Sequence, residues 1–190
     1  MTKFLATQTG QKLAYSFTKG TGPTVIFLGG FKSDMEGSKA IFLEKWAKKR
    51  NRSFLRFDYS GHGQSSGDFH NLGIGDWFND AKQIIELKVK NGIILIGSSM
   101  GGWISLLLSR ELGRRLKGLI TIAAAPDFTE ESMWNNFTEH QKKEILNKGI
   151  LHLPSDYGDP YPITRYLIEN GRQNLVLREP LELLCPVRLM

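Results

Sequence analysis

The sequence predicts an α/β fold in which helices flank a mostly parallel sheet. Short runs rich in β-branched and aromatic residues alternate with longer amphipathic segments, which is typical of parallel strands joined by crossover helices. The chain has 190 residues, of which 41% are hydrophobic and 23% are charged, and this suffices for one globular core and hardly for two. The composition therefore excludes a fibre and a disordered chain, and we expect one domain.

Five short runs are predicted to be strands. The first two are joined by the turn-rich link Lys19-Gly-Thr-Gly-Pro23, so we expect them to open the sheet as a pair. The predicted strands cover residues 13–17, 24–28, 53–59, 92–98 and 119–125.

Three amphipathic segments between these strands are predicted to be helices. The second follows the 3.6-residue period best, with Asp76 as its expected N-cap and Asn91-Gly92 as its expected stop, and the third begins near Gly101. We assign their apolar residues to the core. These residues are Ile41, Leu43, Trp46 and Ala47 in the first segment, Trp77, Phe78, Ala81, Ile84, Ile85 and Leu87 in the second, and Trp103, Leu106 and Leu107 in the third.

The pattern changes after Pro126. From Thr129 to Pro180 no further strand is predicted, and the segment is expected to form helices that glycine and proline interrupt. We interpret residues 1–128 as the core, 129–184 as a helical lid inserted at the carboxyl end of the sheet, and 185–190 as the start of another core strand. The predicted interruptions are Gly149, Pro154, Gly158-Asp159-Pro160 and Pro162.

The strongest functional signal is Gly97-Ser-Ser-Met-Gly-Gly102, which matches G-x-S-x-G with Ser99 at its centre. An apolar strand precedes the motif and a helix follows it, as a serine nucleophile on a strained strand-to-helix turn requires. Side chains at Gly97 and Gly101 would collide across such a turn. Ser98 lacks glycines at the two flanking positions. We therefore predict that Ser99 is a nucleophile and not merely part of a tight turn.

A second signal is Phe27-Leu-Gly-Gly-Phe31, where a predicted strand ends in two glycines. In a serine hydrolase of this design, the loop after that strand supplies one backbone N–H to the oxyanion, and the residue after the nucleophile supplies another. Phe31 and Met100 are the candidate donors, and Gly30 allows the substrate to approach the backbone. A simple strand-terminating turn is the alternative.

A general base is not apparent from the sequence. The expected chain order is serine, acid, histidine, and only His140 and His152 follow Ser99. Both lie inside the predicted lid, so we predict that they are surface or lid-packing residues. His62 and His70 precede the nucleophile.

Asp127 closes the fifth predicted strand, near the edge of the sheet where an acid could reach a histidine. We interpret it instead as an Asx cap of the helix that follows.

Two observations argue against nucleotide and nucleic-acid binding. The segment Asp58-Tyr-Ser-Gly-His-Gly-Gln-Ser-Ser-Gly67 is similar to a phosphate-binding loop, but Ser66 occupies the third glycine position of G-x-G-x-x-G and no Walker lysine follows. The net charge is +6, and the basic residues cluster toward the ends of predicted helices, where cations interact favourably with the helix dipole. Aromatic residues do not interleave with these clusters as stacking on bases would require.

Membrane insertion and metal binding are also not expected. No apolar run approaches the length of a bilayer span. Cys185 is the single cysteine and no metal-ligand spacing occurs, so we expect no disulfide, no zinc and no cofactor. The N-terminus has no signal or transit pattern, which predicts a cytoplasmic protein, or a mitochondrial one if a eukaryotic transit peptide has been lost.

Five segments that together extend over nearly the whole chain carry a family resemblance. They are Lys12-Leu-Ala-Tyr15, Phe27-Leu-Gly-Gly-Phe-Lys-Ser-Asp-Met-Glu-Gly-Ser-Lys-Ala40, Arg56-Phe-Asp-Tyr-Ser-Gly61, Gly97-Ser-Ser-Met-Gly-Gly-Trp103 and Cys185-Pro-Val-Arg-Leu-Met190. These segments resemble α/β-hydrolases. The resemblance is strongest to the branch that contains the mitochondrial palmitoyl-protein thioesterase and acyl-glucuronide esterase, with its bacterial relatives.

The resemblance implies an α/β-hydrolase fold with Ser99 as nucleophile and the Phe31 and Met100 amides as the oxyanion hole. In the family, the acid lies in an H-G-x-x-D-x-x-V motif after the strand that begins here at Cys185, and the histidine lies in a later G-D-H motif. The chain stops before both motifs. We therefore expect it to lack the last strands of the fold and to be inactive by itself.

Together these features predict a serine hydrolase that cleaves thioester or carboxylic ester bonds of a small-molecule or lipidated acyl substrate. The apolar lid, which includes Trp134 and Phe137, is expected to shelter the acyl chain. A non-catalytic binding module of the same fold, or an inactive fragment, is the alternative. The exposed edge of the strand at Cys185 predicts association of the isolated chain, and its oligomeric state is otherwise not predicted.

Overall fold

The computed structural model describes residues 2–8, 10–154 and 160–190 and contains a seven-stranded central sheet and a separate two-stranded hairpin. In chain order the strands are β1 (Lys3–Ala6), β2 (Lys12–Thr18), β3 (Thr21–Leu28), β4 (Arg52–Phe57), β5 (Ile93–Ser98), β6 (Leu116–Ile122), β7 (Ile150–Leu153), β8 (Tyr161–Thr164) and β9 (Val187–Leu189). The spatial order of the large sheet is β1-β2-β4-β3-β5-β6-β9. Its neighbours from β4 to β9 are parallel, and β1 and β2 are antiparallel at one edge.

All five predicted strands are present, but the first two do not pair with each other. β4 lies between β2 and β3, because β2 pairs with β4 in antiparallel orientation and β3 pairs with β4 and β5 in parallel. The sequence pattern does not predict β1, whose four residues form a hairpin with β2. The predicted class, a mostly parallel sheet flanked by helices, is confirmed.

The three predicted helices are present, and two more follow in the predicted lid. They are α1 (Ser38–Lys49), α2 (Ile74–Lys88), α3 (Met100–Leu112), α4 (Glu139–Lys148) and α5 (Arg165–Arg172), with single turns at Phe69–Asn71, Gly113–Arg115, Thr129–Met133 and Trp134–Asn136. α1 covers one face of the sheet, and α2 and α3 pack on the other face, in the larger core cluster. Side chains that alternate along β3 divide between these two clusters, as expected for a sheet buried on both faces.

Two details of the predicted second helix are wrong. Gly73, not Asp76, is the N-cap of α2, and the Asp76 carboxylate accepts the Gly73 N–H at 2.9 Å from the third helical position. Leu87 is 54% exposed in the last turn of α2, so it does not belong to the core.

The prediction that no strand occurs between Thr129 and Pro180 is wrong. β7 and β8 pair there as an antiparallel hairpin in which Leu151 lies opposite Ile163. Both strands have only four residues, so their alternation is too short to be distinguished from a helical pattern. Gly149 ends α4 with a positive φ of 80°, as its predicted role as an interruption requires. The predicted interruption at Gly158-Asp159 lies outside the described residues.

β9 pairs with β6 at the edge of the sheet, as the β-like pattern at residues 185–190 predicts. Leu189 and Met190 are 76% and 75% exposed. Met190 and side chains of α1, β5 and β6, among them Phe42, Ile120 and Ile122, line an open apolar groove. This is the edge at which the sequence predicts association.

Candidate active site

Ser99 lies at the turn between β5 and α3, in the predicted strand, turn and helix. Its backbone has φ 53° and ψ −120°, which is strained for a residue other than glycine. The Ser99 N–H donates to the Ile122 carbonyl at 3.0 Å, and the Ser99 carbonyl accepts the N–H groups of Gly102 and Ala125 at 2.8 and 3.1 Å. The turn is therefore held by α3 and by the end of β6. The Ser99 hydroxyl forms no hydrogen bond with any described residue.

Two glycines make room for this turn. A Cβ on Gly97 would overlap the carbonyl oxygen of Gly101, which confirms the predicted collision across the turn. A Cβ on Gly101 would overlap the carbonyl oxygen of Leu28 and would lie 2.6 Å from that of Gly29. The first turn of α3 is therefore seated directly on the end of β3.

The turn after β3 approaches Ser99. The Ser33 N–H donates to the Gly30 carbonyl at 3.1 Å and closes a β-turn with Phe31 and Lys32 at its centre. A Cβ on Gly30 would lie 3.3 Å from the Cβ of Ser99. The structure thus brings the two predicted motifs together, and the absence of a side chain at Gly30 leaves the space beside Ser99 open.

The backbone N–H groups of Phe31 and Met100 have no acceptor among the described residues. Met100 is the first residue of α3, where a backbone N–H has no partner within the helix and the helix dipole is positive. Phe31 directly follows Gly30, and Met100 directly follows Ser99. These two amides are available to a negative charge that develops beside Ser99.

His62 lies behind the Phe31 turn and is 4% exposed. Its Nε2 accepts the Lys32 N–H at 3.2 Å, and its Nδ1 lies 3.2 Å from the Ser60 carbonyl oxygen, which can only accept, so the proton is on Nδ1. Burial lowers the pKa of His62 to about 4; the Ser60 hydrogen bond opposes this and the Lys32 charge adds to it. The surrounding rings are those of Tyr59, Phe69 and Trp77.

The other histidines lie at the surface. His70 is exposed beside Asp68, and His140 in α4 and His152 in β7 are exposed on the predicted lid, as predicted for these two. In the described part of the chain no histidine is hydrogen-bonded to Ser99. The described residues therefore place the predicted nucleophile Ser99 near the two predicted oxyanion donors, without a histidine in contact with Ser99.

Asp127 does not cap the following helix with its side chain, so that interpretation is wrong. The residue is fully buried with φ 56°, and its two carboxylate oxygens accept the N–H groups of Val176 and Leu177 at 2.8 and 3.0 Å. It thus joins the end of the core sheet to the segment that leaves α5. The sequence does not indicate this contact, because the acceptor and its donors are about fifty positions apart.

Replacing Asp127 by alanine is expected to lower the free energy of unfolding by about 2 kcal/mol, because the Val176 N–H would be buried without an acceptor. Asp127→Asn keeps one acceptor and tolerates the positive φ, so it should lose about half as much. Urea unfolding of both variants measures the difference. Equal stability of Asp127→Ala and the wild type would contradict this attachment of the lid.

A buried carboxyl lies on the far side of Ser60. Asp80 is 5% exposed, and its Oδ2 accepts the Ser60 N–H at 2.8 Å. Burial raises the pKa of Asp80 to about 6, and the hydrogen bond from the Ser60 N–H opposes the rise only in part. Asp58 lies nearby, and burial likewise raises the pKa of its carboxyl. His62 and Asp80 are thus two buried titratable groups that bond to the carbonyl and to the N–H of one residue, Ser60.

Their shifted pKa values predict opposite pH dependences. Because the pKa of His62 is about 4 when folded and 6.5 ordinarily, its unfolded form binds the proton first, and acidification from about pH 6.5 to 4 costs about 3 kcal/mol of stability. For Asp80, with a pKa of about 6 against 3.8, the folded form binds the proton first, and the same acidification adds about 3 kcal/mol. The two contributions nearly offset each other in the wild type.

Asp80→Asn should therefore lose about 3 kcal/mol more than the wild type between about pH 6.5 and pH 4, and His62→Gln should become more stable over this interval. Urea unfolding at several pH values measures both, and acids elsewhere titrate equally in all three proteins. Parallel pH profiles of Asp80→Asn and the wild type would contradict the assignment.

An aromatic wall surrounds the Phe31 ring, and the sequence did not reveal it. The rings of Phe69, Trp77 and Phe128 lie edge-on to Phe31 with centroids 5.1 to 5.9 Å away, and Tyr161 of β8 lies at 6.2 Å. These residues come from four separate segments, so no local pattern links them. Aromatic rings therefore surround the Phe31 side chain on several sides.

The predicted lid residues have packing partners of their own. Phe137 is buried in the larger core cluster. The Trp134 ring is covered by the Arg172 guanidinium, 4.5 Å from its centroid, and the Lys142 ammonium lies at 5.9 Å. Contact of these two rings with a substrate stays a prediction.

Residues 2–8, 10–154 and 160–190 offer neither a metal-binding cluster nor a membrane-spanning helix. No group of three or more His, Cys, Asp or Glu residues there could hold a metal ion. None of the helices described there has the length and apolarity needed to cross a membrane.

Known proteins resemble this chain in sequence. The family model described as Serine aminopeptidase, S33 matches residues 21–166, which include the Gly30 turn and Ser99. Palmitoyl-protein thioesterase ABHD10, mitochondrial, of Bos taurus is 34% identical over 189 residues, which are 98% of this chain and 61% of that protein. The Rattus norvegicus protein of the same name is 36% identical over 180 residues, 94% of this chain and 60% of that protein. The chain thus spans about three fifths of the length of these curated relatives.

Solved structures agree with the fold. A crystal structure of an Agrobacterium vitis S4 protein has a TM-score of 0.94 at 33% identity and covers 100% of this chain and 77% of that chain. Alpha/beta hydrolase domain-containing protein 10 from mouse has a TM-score of 0.89 at 34% identity, with 100% and 76% covered. The predicted resemblance is confirmed, and the chain belongs to the α/β-hydrolases, in the family described as Serine aminopeptidase, S33.

Proposed function

We propose that this chain carries the nucleophile and the oxyanion hole of a serine hydrolase that cleaves thioester or carboxylic ester bonds of acyl substrates. The observation that carries the proposal is the strained Ser99 turn in contact with Gly30, beside two unpaired amides. A tight turn without catalytic function would not need a serine with a positive φ, held in that conformation by hydrogen bonds to α3 and to the end of β6.

In the proposed reaction the Ser99 hydroxyl oxygen attacks the acyl carbonyl carbon, and a general base takes the hydroxyl proton. The carbonyl oxygen becomes an oxyanion that accepts hydrogen bonds from the Phe31 and Met100 N–H groups. The tetrahedral intermediate expels the thiolate or alkoxide, which takes up the proton, and leaves an acyl-enzyme on Ser99. Water then releases the carboxylic acid by the reverse sequence of proton transfers.

The general base in this proposal comes from residues beyond Met190, as the family resemblance implies. The histidines of this chain do not support an alternative base. His62 is buried and uses its Nε2 for the Lys32 amide, and the other three lie at the surface. In this proposal the 190-residue chain by itself is inactive.

The proposed substrate is a small-molecule or lipidated acyl group. The aromatic wall of Phe69, Trp77, Phe128 and Tyr161 around Phe31 supports an apolar acyl chain, and Trp134 and Phe137 are proposed to extend this shelter from the lid. The mammalian relatives named palmitoyl-protein thioesterase support a thioester substrate. The reaction as written needs no cofactor. We propose a cytoplasmic location, or a mitochondrial one as in those relatives.

A fluorophosphonate probe tests the proposal, because it reacts with an activated serine. The 190-residue chain and the product of the complete coding frame are labelled in parallel, with Ser99→Ala in each. Ser98→Ala is the matched control, since Ser98 is the neighbouring serine and is buried at the end of β5.

Labelling of the complete product that Ser99→Ala removes and Ser98→Ala retains is the expected result. A coding frame that ends at Met190 would overturn the proposed source of the base. Absence of labelling in both forms would favour a non-catalytic binding module of this fold.

A further inference from the structure

The turn that carries Phe31 is strained at its third residue. Lys32 has φ 54°, in the region that favours glycine at this position of a β-turn. Its N–H belongs to the central peptide of the turn and donates to His62 Nε2 at 3.2 Å. A flip of that peptide, which would give Lys32 an ordinary φ, would turn the Phe31 carbonyl toward the imidazole in place of the N–H. The hydrogen bond thus selects the observed turn.

The imidazole is itself fixed in place. Its Nδ1–H donates to the Ser60 carbonyl, which also accepts the Trp77 indole N–H at 3.1 Å, and the Ser60 N–H is held by Asp80 at 2.8 Å. Because Asp80 holds the Ser60 N–H and Trp77 holds the Ser60 carbonyl, a rotation that offered Nδ1 to the turn would cost the imidazole its hydrogen bond to that fixed carbonyl. The acceptor presented to Lys32 is therefore constant.

The rest of the loop has a separate attachment. The Met35 N–H donates to Asp58 Oδ1 at 2.6 Å, and the other oxygen of that carboxylate accepts the Gln64 N–H at 2.9 Å. The Asp58 carboxylate thus fixes the loop beyond the turn. Of the two acceptors, His62 and Asp58, it is His62 that bonds to a turn residue. The conformation of the peptide next to Phe31 depends on His62.

We propose that His62 is a positioning residue, which accepts the Lys32 N–H and thereby holds the Phe31 amide beside Ser99 for oxyanion binding. This inference rests on the proposed function. His62 touches neither the substrate nor Ser99, and it exchanges no proton in the reaction.

Substitutions at position 62 separate the hydrogen bond from packing. His62→Phe keeps an aromatic ring in the ring cluster and removes the acceptor. His62→Gln supplies a side-chain oxygen at the reach of Nε2. His62→Asn places an amide N–H at the reach of Nδ1 for Ser60 but leaves Lys32 without an acceptor, so it replaces His62→Phe if that variant does not fold. His70→Phe, an exposed histidine in the same segment, is the control.

Two readouts are needed. Amide hydrogen exchange of Lys32, followed by NMR in the 190-residue chain, reports the hydrogen bond without any activity. Fluorophosphonate labelling of the form of the protein that reacts gives the maximal rate and the probe concentration at half of that rate. Loss of an oxyanion donor lowers the maximal rate, whereas damage to the binding cleft raises the half-saturating concentration.

For His62→Phe or His62→Asn we expect Lys32 exchange to accelerate at least about tenfold and the maximal labelling rate to fall about tenfold at an unchanged half-saturating concentration. His62→Gln should restore both values to within about threefold, and His70→Phe should match the wild type. Labelling of His62→Phe at the wild-type rate would overturn the proposal, and so would a His62→Gln protein as slow as His62→Phe. If no form of the wild type is labelled, the proposed function fails, and Lys32 exchange still decides whether His62 holds the turn.

Discussion

Alanine at position 101 is expected to lower the free energy of unfolding by about 3 kcal/mol and to abolish the reactivity of Ser99. The added methyl group would overlap the carbonyl oxygen of Leu28 and approach that of Gly29 to 2.6 Å. Both oxygens belong to the backbone at the end of β3, so no side-chain rotation relieves the overlap. α3 must move away from β3, and this movement separates the Met100 amide from the Phe31 turn.

Gly118→Ala is the matched control for this prediction. A Cβ on Gly118 would lie 3.7 Å from side-chain carbons of Ile94, which is ordinary van der Waals distance, and the backbone there does not need a positive φ. Its stability should change by no more than about 1 kcal/mol. Urea unfolding and fluorophosphonate labelling are measured on the same samples. A Gly101→Ala protein that unfolds at the wild-type urea concentration would mean that α3 is not seated on β3 as described.

The strained turn at Ser99 could be predicted from the sequence because its constraints are local. Strand, turn and helix follow one another within a few residues, and the glycines at positions 97 and 101 act on backbone atoms that this order brings close. The same holds for Gly30, which comes directly after a strand of clear apolar pattern. For α2, the 3.6-residue period identified the buried face apart from Leu87, which is exposed in the last turn.

The residues that support the site could not be predicted, because their partners are distant in the chain. His62 accepts from an amide 30 positions away, and Asp127 from an amide 49 positions away. Both hydrogen bonds depend on which strands are neighbours, and the expected pairing of the first two strands was wrong. The hairpin of β7 and β8 was not predicted for a different reason, because four-residue strands show too little alternation.

Arg56 and Glu44 form a buried ion pair that the sequence also concealed. Arg56 of β4 donates to Glu44 of α1 from Nη2 at 3.1 Å, and both side chains are under one tenth exposed. Its Nη1 donates to the Met35 carbonyl at 2.8 Å, in the loop beyond the Phe31 turn. Burial raises the pKa of Glu44, but the hydroxyl of Ser16 and the charge of Arg56 outweigh it, so the pKa lies below its ordinary value. The pair joins α1, the sheet and the loop of the candidate site.

Replacing Glu44 by alanine is expected to lower the free energy of unfolding by about 4 kcal/mol, because the Arg56 charge would stay buried with the half-exposed Glu36 as its remaining acidic partner among the described residues. Glu139→Ala is the matched control: Glu139 pairs with Lys142 in α4, but its side chain is 81% exposed, so less than about 0.5 kcal/mol should be lost. Urea unfolding at neutral pH measures both. A Glu44→Ala protein that loses no more than the control would show that the buried charge is solvated in solution.

The double variant Glu44→Met with Arg56→Met distinguishes the lost charge partner from lost packing. It removes both charges and keeps apolar volume, so it should recover about half of the Glu44→Ala loss, the remainder being the Met35 carbonyl left without its donor. If the single variant is destabilised through packing alone, the double variant should be no more stable than Glu44→Ala. Because Met35 lies in the loop that continues from the Phe31 turn, the double variant should also label more slowly at Ser99 than its stability alone would predict. The ion pair between α1 and β4 would then influence the geometry of the Phe31 turn.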